Sequence, residues 1–131
     1  MFGAHPPVTG PVVGGNLALM ATLVGTPYLH IPQGSLLLLE DVGEAPYRVD
    51  RMMTQLLMAG VFDQVQGVVL GDFVQCEGRG PDVQEVLRER LHSLGIPVLV
   101  GLGVGHGARN QALWLGKPAC LDAEQGRLTW P

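Results

Sequence analysis

His106 lies in a glycine-rich stretch, VGLGVGHGARN, that runs on from an apolar segment, IPVLV. Earlier in the chain another apolar segment, SLLLLED, ends in two carboxylates, Glu40 and Asp41. A carboxylate that holds an imidazole fixes its tautomer and stabilises the imidazolium. Joined to a nucleophilic hydroxyl or thiol, such a pair performs acyl transfer. The glycines around His106 would let its backbone approach a neighbour closely. Whether these side chains meet depends on the elements that carry them.

The spacing predicts a short helix from Leu17 to about Val24, with Asn16 as its N-cap. SLLLLE is a short buried strand. APYRVDRMMTQLLMAG is the clearest helix, with Pro46 in its first turn and Gly60 as its stop. Val49, Met52, Met53, Leu56 and Leu57 form its apolar stripe, while Arg48, Asp50, Arg51 and Gln55 face away. QGVVLGDF is a second buried strand, DVQEVLRERLHSLG a second amphipathic helix, and IPVLVGLG a third strand. ALWLGKPACLDAEQGRLTWP reads as short strands around a turn at Gln125–Gly126. The first dozen residues, with Pro6, Pro7 and Pro11, read as a linker or arm.

Strand, helix, strand, helix, strand describes an α/β fold. Continuously apolar strands imply a parallel sheet covered on both faces. Right-handed crossovers put the strand C-termini on one edge, outside which ligands gather in open α/β sheets. That edge would carry Glu40–Asp41, Gly71–Asp72–Phe73 and the His106 loop, making Glu40 and His106 spatial neighbours. Two plainer readings stand beside this one: a histidine on a loop can be only a polar loop residue, and an acid at a strand end can be a helix cap. The run Gly103-Val-Gly105-His-Gly107-Ala108 also matches a dinucleotide fingerprint. It lacks the following helix whose N-terminus would hold the pyrophosphate.

The chain of 131 residues fits one domain and is 47% hydrophobic with only 15% charged residues. So little charge leaves apolar surface to be covered by another subunit or domain. The net charge is −4 and the Lys and Arg residues are scattered, which gives no electrostatic footprint for nucleic acid. No apolar run reaches the roughly 18 residues that would span a bilayer, and the N-terminus does not read as a signal peptide. Cys76 and Cys120 are therefore expected to be reduced thiols in a cytoplasmic protein. The four histidines are dispersed and the cysteines are not paired with them, so no metal site is expected.

A nucleophile is harder to find. Ser35 starts the strand that ends at Glu40, and five residues at ~3.3 Å each put it roughly 17 Å away. Ser93 ends a helix at the opposite edge from His106. Neither can join a triad, which needs partners about 3 Å apart. Cys76 follows the second strand on the correct edge; it is either a nucleophile or an ordinary loop cysteine. Cys120 reads as core. Glu44 could contact substrate or support the following helix. Arg48 and Arg51 could bind a carboxylate or a partner domain, or form a solvated helix face. Phe73 could line the cleft or simply pack. Asn110 could orient the His106 loop or only form a turn. Met52, Met53 and Met58 read as core or interface.

Three segments in order, GGNLALMATLVGTPY, LLLLEDVGEAPYRVDRMMTQLLMAG and GHGARNQALWLG, resemble the C-terminal domain of the LD-carboxypeptidases. These are serine peptidases that trim murein tetrapeptides; the related microcin-immunity peptidases share the fold. The resemblance runs from about Gly14 to Leu121. It implies a swivelling β/α domain with a central, mostly parallel sheet flanked by helices and a C-terminal β-hairpin. It also implies a Ser–His–Glu triad, in which Glu40 and His106 are the catalytic residues carried by this chain and the serine and oxyanion donors lie in a separate N-terminal domain. Substrate contacts are expected from Phe73, Glu44 and Arg48. The family's chemistry implies release of a terminal D-amino acid, typically D-alanine, from a murein peptide, by a homodimer with no cofactor. The family usually has a proline where Trp114 stands, at what reads as a hairpin position. The expected organisation is residues 1–13 as an arm and 14–131 as the domain, without a preceding nucleophile domain and inactive alone. A microcin-type amide hydrolase and a non-catalytic dimerisation module are the alternative expectations.

Overall fold

The computed structural model describes residues 3–131. In chain order the elements are β1 (Val8–Asn16), α1 (Leu17–Leu23), β2 (Ser35–Val42), α2 (Pro46–Met58), a 3-10 turn (Val61–Gln64), β3 (Val65–Val74), α3 (Val83–His92), β4 (Val98–Val100), β5 (Pro118–Asp122) and β6 (Arg127–Thr129). They build one sheet in the order β4-β3-β2-β1-β5-β6. Strands β1 to β4 are parallel, and β5 and β6 join antiparallel. This is the mostly parallel α/β sheet with a C-terminal hairpin that the sequence implies.

One expectation is corrected at the start of the chain. Val8–Asn16 is not an arm but a strand seated between β2 and β5. Its proline and glycine content hides it. Pro11 lies at the end of the ladder with β5, opposite Pro118. A side chain at Gly10 would sit 1.9 Å from the Gly34 carbonyl oxygen, so only glycine lets β1 lie against that turn.

The four parallel strands follow one another in space as in sequence. Right-handed crossovers then place all three helices on the same face. One core cluster accordingly joins Leu37, Leu39, Val68 and Leu70 of the sheet to Leu17 and Met20 of α1, Met53 and Leu56 of α2, and Leu87 and Leu91 of α3. Each such buried side chain contributes about 1.5–3 kcal/mol of transfer free energy. The helices start and stop for local reasons. Asn16 Oδ1 accepts from Leu19 N at 3.0 Å. Pro46 occupies the first turn of α2, and Gly60 follows it at φ 74°. Asp82 and Glu85 form a capping box on α3.

Among the described residues the opposite face carries no helix. Val12, Leu36, Leu38, Val69 and Leu99 are covered there by Ala119 and Leu121 of β5 and by Leu102, Val104, Leu113 and Trp130. The sheet curls to allow this: a side chain at Gly67 would lie 2.7 Å from Leu121 Cδ2. The segment ALWLG is an irregular loop and not a strand, so Trp114 is not in the hairpin. Its ring meets Trp130 edge-on at 6.4 Å, with Lys117 Nζ 4.6 Å above it. Met52 and Met53 are core, whereas Met58 is exposed. Cys120 is only half-buried, because Ala119 and Leu121 take the inward positions of β5. Among the described residues no helix is long and apolar enough to cross a membrane.

Candidate active site

Alternation along β2 sorts its two terminal acids. Leu37 and Leu39 face the helices, and Asp41 continues that series; Leu36 and Leu38 face the other side, and Glu40 continues that one. Asp41 is buried and serves α1. Its Oδ2 accepts from Ala18 N at 2.9 Å, and its Oδ1 accepts from Asn16 Nδ2 at 3.1 Å and Val42 N at 2.8 Å. The helix-cap reading is therefore right for Asp41 and not for Glu40.

Strand β3 bulges beside Glu40. Leu39 pairs with Leu70, but Asp41 pairs with Phe73, so Gly71 and Asp72 together oppose the single residue Glu40. The bulge opens the sheet end to the loop after β4. Leu70 O accepts from Gly101 N and Leu102 N, and Asp72 N donates to Val104 O at 2.9 Å. Three glycines make the fit possible. A methyl at Gly71 would lie 2.4 Å from Val104 O, one at Gly105 2.7 Å from Glu40 Oε2, and one at Gly107 2.3 Å from Asp72 Oδ2. Gly105 also adopts φ 122°, which L side chains rarely take. Asn110 Oδ1 accepts from Gly105 N at 3.2 Å, which pins the loop. That is why a histidine sits on a glycine-rich turn: the glycines lay the turn directly on the strand ends that carry the carboxylates.

The result is a contact between His106 Nδ1 and Glu40 Oε2 at 2.7 Å. The Glu40 side chain is 9% exposed and that of His106 49%. The carboxylate is thus shielded while the imidazole remains reachable. With Nδ1–H donating to Glu40, Nε2 keeps its lone pair and can accept a proton.

Among the described residues nothing completes a triad with this pair. Ser35 is fully buried at the far end of β2, and its hydroxyl donates to Pro32 O. Ser93 caps the C-terminal end of α3. Cys76 is buried in the helix-side core, its Sγ donates to Val74 O at 3.4 Å, and burial pushes its thiol up, away from thiolate. No helix follows the GVGHGA run, which removes the dinucleotide reading.

A cleft of about 1010 Å³ opens next to the His106 loop. Gly107, Ala108 and Arg109 form one wall, Asp72 and Phe73 another, and Arg127 of β6 a third. Phe73 packs partly against the helix-side core and partly lines this cleft. Glu44 and Arg48 do not line it. They form an ion pair at 3.8 Å at the start of α2, where Arg48 Nε also donates to Tyr47 Oη. That hydroxyl and the Glu44 carboxylate hold the Arg48 guanidinium above its ordinary range. Arg109 and Arg127 are the cleft cations that sequence reasoning passed over. The signal for Arg109 was a cation three residues after His106 on the same loop.

Comparison with known proteins agrees with the fold. The LD-carboxypeptidase C-terminal domain family matches residues 9–121. A murein tetrapeptide carboxypeptidase of Pseudomonas aeruginosa is 39% identical over 133 residues, covering 98% of this chain and 43% of that protein. The crystal structure of muramoyltetrapeptide carboxypeptidase from Oxalobacter formigenes superposes with a TM-score of 0.84 at 35% identity, over 94% of this chain and 45% of that one. The wild-type structure of the microcin C7 self-immunity protein MccF superposes with a TM-score of 0.81 at 30% identity, over 95% and 38%. The chain spans about two fifths of the length of the relatives it matches. With the match reaching from β1 to β5, the chain belongs to the LD-carboxypeptidase C-terminal domain family.

Proposed function

We propose that this chain supplies the acid–base half of a serine-type LD-carboxypeptidase site acting on murein peptides. The observation that carries this is the 2.7 Å contact between a buried Glu40 and a half-exposed His106 at the C-terminal edge of a parallel sheet. The family match and the relatives named as murein carboxypeptidases support the substrate class. The serine comes from outside these 131 residues, since both serines of the chain lie away from the pair.

In the assembled site the serine hydroxyl attacks the carbonyl carbon of the last peptide bond while His106 Nε2 removes its proton. Glu40 holds Nδ1–H and stabilises the imidazolium so formed. His106 then passes that proton to the leaving nitrogen, and the C–N bond breaks to free the terminal D-amino acid. Water, activated by the same imidazole, hydrolyses the acyl-serine and restores both groups.

The test is D-alanine release from a murein tetrapeptide. The chain is assayed alone, and then joined to the serine-bearing N-terminal part of the Pseudomonas aeruginosa relative. The expected result is release only by the joined protein. His106→Ala should lower kcat by roughly 10³-fold or more, and Glu40→Gln by roughly 10²- to 10⁴-fold. A folded joined protein that releases nothing, or one indifferent to His106→Ala, would overturn the reading. Release by the chain alone would overturn the assignment of the serine to another segment.

A further inference from the structure

We infer that Arg109 forms the subsite for the free carboxylate of the substrate's terminal residue, an inference that rests on the carboxypeptidase reading above. A substrate cut at its last peptide bond carries an anion within one residue, ~3.8 Å of chain, of the reacting carbonyl. The site therefore needs a cation close to His106. Among the described residues the cleft lined by Gly107 and Ala108, which directly follow His106, offers two cations, Arg109 and Arg127. Arg127 is already engaged with Asp122 at 3.4 Å. Arg109 has no carboxylate within ion-pair reach and makes no side-chain hydrogen bond among the described residues.

Its placement fits the role. Arg109 follows His106 by three residues on a loop tied down by the Gln111 N to Gly103 O bond at 2.8 Å and the Asn110 to Gly105 bond. Its Cβ lies 3.5 Å from where a side chain at Gly103 would begin, so glycine there leaves room at the base of the arginine. Asp72, whose carboxylate lies against Gly107, lines the same cleft and repels an anion from that side. The cleft thus has one wall that attracts a carboxylate and one that rejects it. A guanidinium donates two parallel N–H hydrogen bonds to a carboxylate, which fixes orientation as well as affinity. Arg109 selects peptides with a free C-terminus over C-terminal amides.

The experiment uses the 131-residue chain, so its result does not depend on hydrolysis. Backbone amide shifts are followed while N-acetyl-D-alanine or N-acetyl-D-alaninamide is titrated in. The expected result is movement of Gly101, Gly103 and Gly107 with the acid and not with the amide. Arg109→Gln should abolish it, and Arg109→Lys should restore it in part. Equal responses to acid and amide, no response to either, or an unchanged response in Arg109→Gln would each overturn the subsite. In a joined, active enzyme Arg109→Gln should raise KM for the free acid by roughly 10- to 100-fold with kcat little changed. A joined enzyme that releases D-alanine with KM unmoved by Arg109→Gln would refute the subsite alone. Acid-selective binding without any D-alanine release would refute the hydrolytic reading and spare the subsite.

Discussion

Gly105 packs against Glu40 so tightly that a methyl on the glycine would lie 2.7 Å from the carboxylate oxygen Oε2 and 3.1 Å from Cβ. The same oxygen receives His106 Nδ1. One glycine therefore decides whether the neighbouring histidine reaches its partner. Gly105→Ala should cost about 1–3 kcal/mol in urea unfolding, because it combines the collision with an unfavourable φ. In the folded fraction, nitrogen NMR of the His106 ring should show loss of the single Nδ1–H tautomer. An unchanged tautomer would mean that the loop is free to retreat without breaking the pair.

Asp41 should matter to stability and not to proton transfer. Asp41→Ala leaves Asn16 Nδ2, Ala18 N and Val42 N without their acceptor in a buried place. The expected loss is about 2–3 kcal/mol by chemical denaturation. The His106–Glu40 tautomer signal should survive in the folded protein. A mutant as stable as the parent would show that α1 caps itself through Asn16 alone.

Cys76 should behave as a core thiol. Burial raises its pKa, with the nearby Asp41, Glu44 and Glu77 carboxylates adding to the effect. A thiol raised in the folded state leaves stability unaffected below the ordinary thiol range, near pH 8.5, and erodes it as pH rises through and above that range. At pH 8 the half-buried Cys120 should be alkylated first, and Cys76 only on addition of denaturant. Mass spectrometry of the modified peptides reads this directly. Fast native modification of Cys76 would reopen it as a nucleophile.

Asp50 and Arg90 join α2 to α3, and the Arg90 guanidinium holds the Asp50 carboxyl below its usual range. A depressed carboxyl contributes stability that is fully present above about pH 4, the unfolded value. That contribution is lost as pH falls through the folded value. Asp50→Asn should therefore lower the melting temperature slightly at pH 7 and by less near pH 2. The pair is partly exposed, so the difference at pH 7 should be small and should shrink in high salt. An equal effect at both pH values would assign the loss to packing.

Much of this arrangement was legible in the sequence because it follows from a few strong constraints. Continuous apolar strands separated by amphipathic helices force a parallel sheet, and a parallel sheet gathers its strand ends. That alone brings Glu40 and His106 to one edge. Three features stayed hidden. Strand β1 is masked by glycine and proline, whose purpose is close approach to neighbouring backbone. The β3 bulge comes from pairing with β2, and no local pattern announces a register shift. Helices occupy only one face, because the strands stack in sequence order, and β1 is needed to see that order. The different duties of Glu40 and Asp41 were within reach of simple alternation along the strand.

That alternation makes β2 behave like a reading frame. Glu40 and Asp41 are chemically similar and adjacent, and only the parity of their positions assigns one to the histidine and the other to the helix cap. A single alanine inserted between Leu36 and Leu39 would put the Leu39 side chain where Glu40 now meets His106, and Glu40 where Asp41 now holds the start of α1. A second inserted residue would return Glu40 to the histidine face but leave it two positions, ~6.6 Å, farther along the strand. Both the parity of β2 and its length up to Glu40 must therefore be kept for the acid to meet the histidine.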